Sequence, residues 1–100
     1  MKWHDPIICE AIRRRALLEF DYDGHHRIVQ PYCHGVGSKR REMLRAIQVG
    51  GSSRTGAFGF GKLWRVDKME RLRIGNDPFT AVDSDYNPDD SAMIQIHCRV

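Results

Sequence analysis

One hundred residues with 41% apolar and 29% charged side chains fit a single small globular domain. They exclude a disordered chain, and no apolar run approaches the ~20 residues a bilayer-spanning helix needs. The formal net charge is +3, but residues 1–75 hold fifteen Lys/Arg against eight Asp/Glu (+7) while residues 76–100 hold one Arg against five Asp (−4), which points to a basic body meeting a polyanion and an acidic tail able to mask it, beside the blander reading of a solvated surface.

In chain order, Asp5-Pro6 reads as a helix cap followed by proline at the first helical position. Ile8, Ala11, Ile12 and Arg15 then fall at helical spacing, predicting a helix over 6–15. Glu10 can meet Arg13 or Arg14 one turn on, and the arginines suit the helix C-terminus. Leu18, Phe20 and Tyr22 alternate with Glu19 and Asp21, the period of a strand, and Asp23-Gly24 marks a hairpin turn. A three-residue loop would set Leu18 opposite Ile28 and Glu19 opposite Arg27, whereas a two-residue loop would pair Phe20 with Arg27. The first is preferred, because like meets like and opposite charges meet. The second strand runs to Tyr32, with Pro31 where no ladder donor is needed.

Residues 33–41 form a polar turn with Gly35, Gly37 and the cations Lys39, Arg40 and Arg41. Residues 42–49 form a third, central strand. Residues 50–61 hold five glycines and two serines and predict a long loop. Strands follow at 62–67, with Trp64 and Val66 on one face, and at 71–74, with Leu72 and Ile74 inward. Asn76-Asp77-Pro78 should end that run, and Phe79 should plug the barrel end. Residues 83–90 are an acidic, turn-rich loop. Ile94, Ile96, Cys98 and Val100 then alternate with polar residues as a strand would, a short helix capped by Ser91 being the alternative. The fold expected is mainly β: a small antiparallel barrel of about five strands with one N-terminal helix and an acidic tail over 76–100, since a bent, partly closed sheet protects its edges.

Phe20 and Tyr22, then Arg27, Val29 and Pro31, then Leu44 and Ala46, then Val66, Asp67 and Met69 follow the order of motifs in the WYL domain, which residues 7–75 resemble. At the signature position the chain has Glu42-Met43-Leu44 in place of Trp-Tyr-Leu. The resemblance implies an SH3-like or Sm-like barrel. It also implies a ligand-sensing module of bacterial transcription and defence regulators, which binds nucleic acid or nucleotide-like effectors through basic and aromatic groups. Such regulators usually carry a winged helix, and at this length the chain would be the module alone.

Arg27, Arg45 and Arg65 lie in three predicted strands. They can be solvated, can pair across the sheet, or can converge on a phosphate, where the guanidinium fork binds two oxygens. The resemblance favours convergence for Arg27 and Arg65. Lys39, Arg40 and Arg41, near Tyr32, suit backbone contact with single-stranded nucleic acid and stacking of bases, and a solvated loop is the competing reading. Phe58 and Phe60 can stack or fill the core, and Trp64 is expected in the core. Residues 59–62, GFGK, are not a phosphate loop, because Leu63 follows the lysine.

Three cysteines, without a CxxC pair, and an amino end lacking a signal-peptide core point to a reduced, cytoplasmic chain without a disulfide frame. Nothing local ties Cys9, Cys33 or Cys98 to a base, so no enzyme and no cofactor are expected. Cys33-His34 and His97-Cys98 are adjacent pairs whose members point to opposite faces of a strand. One residue from each pair can still meet around a metal, against the simpler reading of a buried Cys98. The function expected is thus a non-enzymatic module binding nucleic acid or a nucleotide-like anion. The alternative is a protein-interaction module that docks a partner, or a second copy, through an edge strand.

Overall fold

The chain begins with α1 (Asp5–Arg14), whose Ile8, Ala11 and Ile12 are buried at the expected helical spacing. Glu10 bonds Arg13 and lies 4.0 Å from Arg14. The helix stops one residue earlier than its pattern predicts, because Arg15 turns to φ 54°, a left-handed conformation that ends helices, and its N–H reaches back to the Ile12 carbonyl at 3.1 Å. These coordinates come from a computed structural model that describes residues 5–51, 62–79 and 89–100. Phe58, Phe60 and most of the acidic loop, 83–88, lie outside the described residues.

Six strands follow: β1 (Ala16–Tyr22), β2 (His25–Gly37), β3 (Glu42–Gly51), β4 (Lys62–Arg65), β5 (Glu70–Pro78) and β6 (Met93–Arg99). They form one antiparallel sheet in the order β4-β3-β2-β1-β5, with β6 added to β2. The fold is therefore mainly β with one helix. The sheet is bent, but the barrel is not closed: among the described residues β4 and β5 share no ladder.

The long strand β2 accounts for the bend. Its first part, to Val29, pairs with β1, and its last part, from Cys33, pairs with β6. Pro31 falls in the gap between these two partners, where its missing N–H leaves no ladder bond unmade on that side. A bulge at Tyr32 lies at the same changeover, where Pro31 faces Ala46 but Cys33 faces Arg45. Gly35 allows β6 to approach, since a Cβ there would run into the backbone of Gln95 and Ile96. Burial along β2 changes accordingly, alternating up to Gln30 and continuous from Pro31 to Gly37.

The hairpin takes the register that the charge argument disfavours. Leu18 faces Val29 and Phe20 faces Arg27. Asp23 and Gly24 both have positive φ, 53° and 76°, so the loop is a two-residue turn of the mirror-image kind whose twist suits a hairpin. Turn geometry outweighs the Glu19–Arg27 pairing. Glu19 and Asp21 instead bind Arg73 and Arg71 of β5 and flank His26.

Of three other features, the strand over 93–99 follows its sequence reading and the other two depart from it. β5 continues through Asn76-Asp77-Pro78, with Pro78 facing Ala16, which a strand on the sheet's edge tolerates. Residues 93–99 are a strand, not a helix, so the last residues of the acidic segment are built into the fold. Cys9 and Cys98 are joined by a disulfide, against the expectation of reduced cysteines, because α1 packs across β6 and brings together residues 89 apart in sequence. In a chain-entropy account a loop of that length is worth about 4.6 kcal/mol.

One face of the sheet carries the core: Leu18, Phe20, Tyr22, Val29, Leu44, Ala46, Trp64 and Val66, closed by the apolar side of α1. Trp64 is fully buried, meets Phe20 and Tyr22 edge-on at 5.3 and 5.0 Å, and donates its indole N–H to the Ala46 carbonyl. Such ring pairs add about 0.5–1.5 kcal/mol each beyond burial. Phe79 is buried against Tyr32, with ring centres 5.9 Å apart, and its N–H bonds the Arg15 carbonyl at 2.7 Å, as expected of a residue closing one end.

Candidate anion-binding groove

The three strand arginines do not meet. Arg27 points into the core face, 2% exposed, because the observed register sets it beside Phe20. Its Nε and Nη2 donate to the Tyr22 carbonyl at 3.4 and 3.2 Å, and its Nη1 donates to Gln48 Oε1 at 3.2 Å. The guanidinium carbon stands 5.8 Å from the Tyr22 ring centre and 5.5 Å from that of Trp64. Aromatic faces and a carbonyl oxygen thus hold this cation, and among the described residues no carboxylate pairs with it.

Arg45 and Arg65 lie on the opposite, outer face. Arg45 faces Leu63 and Arg65 faces Met43 across the β3–β4 ladder, so the two arginines are diagonal neighbours on one surface. Each has a carboxylate partner. Arg45 grips Asp90 with Nε at 2.7 Å and Nη2 at 3.1 Å, and Arg65 grips Asp67 with Nε at 3.1 Å and Nη2 at 2.8 Å. The Arg45 hydrogen bonds hold the Asp90 carboxyl below the usual carboxylate range, helped by the Ala92 N–H. The Arg65 bonds lower Asp67 likewise, with Arg41 adding to the attraction.

Lys39, Arg40 and Arg41 are exposed at the tip between β2 and β3, and none makes an ion pair among the described residues. Lys39 and Arg40 form a short 3-10 turn with Ser38, at positive φ of 61° and 54°. Beside this tip lies a groove of about 340 Å³. Met43, Leu63 and Ile94 line it with apolar surface, and Arg41, Arg65 and Ser91 also border it. Two of the seven binding residues read from the sequence, Arg41 and Arg65, therefore share one groove, with Lys39 and Arg40 adjoining in the chain. Tyr32 does not join them: it is 2% exposed and donates its hydroxyl to Gln30 at 2.8 Å, so it serves the core and offers no face to a base.

The aliphatic lining was missed in sequence because it comes from three separate strands. So was a second cluster, on the core face. His34 is fully buried, its Nε2 lies 2.6 Å from Glu42 Oε2, and its Nδ1 lies 3.8 Å from the sulfurs of both Cys9 and Cys98. The sequence offered one partial signal, the His34 and Cys98 of two adjacent-residue pairs, and these do meet. The His97 ring centre stands 5.3 Å from that of His34.

The class so defined is an antiparallel β domain with one covering helix and a cation-rimmed outer groove. Comparisons with protein families, with curated proteins and with solved structures gave no match.

Proposed function

We propose that the chain is a WYL-like, non-enzymatic regulatory module of a bacterial cytoplasm whose outer groove binds a nucleotide-like anion or single-stranded nucleic acid. One observation carries this reading: an apolar-lined groove bordered by Arg41 and Arg65, continuous with the exposed cations Lys39 and Arg40. Phosphates would lie along Arg41, Arg65 and the tip, and the flat face of a base or sugar would rest on Met43, Leu63 and Ile94. Asp67 competes with a phosphate for Arg65, which makes it a built-in brake on affinity.

The test is titration of the full chain with a single-stranded oligonucleotide and with a nucleoside triphosphate at two salt concentrations. Three or four neutralised phosphates give a slope of log K against log salt of about −2 to −3. Replacing Lys39, Arg40 and Arg41 together by alanine should flatten that slope by about two. Salt-independent binding, or none at low salt, rejects the reading.

A second reading rests on Ile94, 73% exposed at the groove. A large apolar side chain standing that far out suits a protein partner laid along β6, with the cations at the rim. Docking of that kind would depend little on salt and would survive replacement of Lys39, Arg40 and Arg41 by alanine, whereas the nucleic-acid interaction would not.

A further inference from the structure

The cluster of His34, Glu42, Cys9 and Cys98 lies on the face of the sheet away from the groove, and nothing in the proposed binding uses it. A buried imidazole–carboxylate pair is weak as a source of stability, since desolvation offsets most of its attraction. Its geometry, however, has a direction. The Glu42 carboxylate accepts a hydrogen bond, so the 2.6 Å contact places a proton on His34 Nε2 and leaves Nδ1 to face the two sulfurs. A carboxylate that fixes the tautomer while the other ring nitrogen faces soft ligands is the second sphere of a metal-bound histidine.

We propose that, once the disulfide is reduced, Cys9, Cys98 and His34 form a thiolate–imidazole site for one zinc-type divalent ion, so that the same residues hold either an S–S bond or a metal. The three ligand atoms already lie within 4.8 Å of one another. Zinc takes sulfur at about 2.3 Å and nitrogen at about 2.0–2.1 Å in a tetrahedron, which places sulfur about 3.6 Å from nitrogen and about 3.8 Å from sulfur. Nδ1 is 3.8 Å from each sulfur, near that requirement for both. Only the sulfurs must part, by swinging away from each other from α1 and β6. Three protein ligands leave a fourth position for water. Cys33, the remaining cysteine, is buried and outside the ligand group.

The chemistry balances with a dithiol as reductant. Its two electrons and two protons break the Cys9–Cys98 bond to two thiols, and the reductant becomes the disulfide. The metal then displaces both thiol protons to solvent and leaves two thiolates. Binding is therefore tighter at higher pH and absent while the S–S bond persists.

The experiment uses the full chain, reduced with dithiothreitol, desalted without oxygen and titrated with Zn²⁺ or Co²⁺ alone. The expected result is one ion per chain, a cobalt–thiolate charge-transfer band, and no uptake by the oxidised chain. Cys33→Ser should bind as the parent does. Cys9→Ser and Cys98→Ser should each lose the charge-transfer band's full intensity and weaken binding at least a hundredfold. Glu42→Gln should weaken it ~10–100-fold with the band retained. The proposal is overturned if the reduced chain keeps its sheet by circular dichroism and takes no ion. It is equally overturned if the reduced chain unfolds and the metal does not refold it, or if the serine variants bind as tightly as the parent.

Discussion

Arg27 shows how a single side chain can be read correctly for type and wrongly for direction. Its place in a strand was legible, but its face depended on the turn, and a shift of one residue moves every side chain of a strand to the other surface. The result is a buried cation held by the Tyr22 carbonyl, Gln48 and two aromatic rings. Truncation should cost about 3 kcal/mol, from lost packing and stranded acceptors. Arg27→Met keeps most of the volume without the charge, so it should recover at least half of the Arg27→Ala loss in urea denaturation. Equal losses in the two variants would assign the stability to hydrogen bonding and not to packing. Lys39 gives the opposite case, a residue whose backbone conformation favours glycine. Lys39→Gly should raise stability by about 1 kcal/mol while weakening oligonucleotide binding. A variant that gains no stability would show that the turn relaxes at little cost.

At the scale of elements, alternation and helical spacing made the helix and the strands legible, because those signals are local. The helix ends within one residue of its pattern, and 93–99 is the strand that Ile94, Ile96 and Cys98 predict. The division of β2 between β1 and β6 was not legible, since pairing partners are a long-range property, and the glycines and polar residues after Tyr32 read as a turn although the strand continues to Gly37. The groove lining and the Cys9–His34–Cys98 cluster were hidden for the same reason. Residues 9 and 98 come together only because α1 packs across a strand that β2 recruits last. Gly35 is the position on which that recruitment depends. Gly35→Ala would press a methyl against the backbone of Gln95 and Ile96, atoms that cannot rotate away. The expected cost is about 2–3 kcal/mol, with amide exchange accelerated across β6 and little changed in the β1–β2 hairpin. Uniform loss of protection over the whole sheet would instead show that β6 does not open as a unit.

For the whole molecule, the charge asymmetry of the sequence survives folding only in part. Glu19 and Asp21 absorb Arg73 and Arg71, Asp67 holds Arg65, and Asp89 and Asp90 reach Arg99 and Arg45. The described end of the acidic segment reaches β3 through Asp90 on Arg45, and Asp90 also anchors the start of β6 by accepting from the Met93 and Ala92 N–H groups. Deleting 83–90 would therefore confound masking with loss of structure, and a charge-only change is cleaner. Because Arg45 depresses the Asp90 carboxyl in the folded chain, the ionised form is favoured by folding. That stabilisation is complete above the unfolded value of about 3.9 and is lost as pH falls through the lower folded value. Thermal unfolding of the parent should thus weaken more steeply below about pH 4 than that of Asp90→Asn, while Arg45 stays charged throughout. Parallel acid limbs for the two proteins would mean that Asp90 is no more ionised in the fold than out of it. At neutral pH the same variant takes the Asp90 charge away from Arg45 on the outer face, so oligonucleotide binding should tighten about twofold to tenfold, with a steeper salt slope. A variant that loses stability at neutral pH without gaining affinity would make Asp90 an anchor for β6 alone and remove the acidic segment from any account of masking.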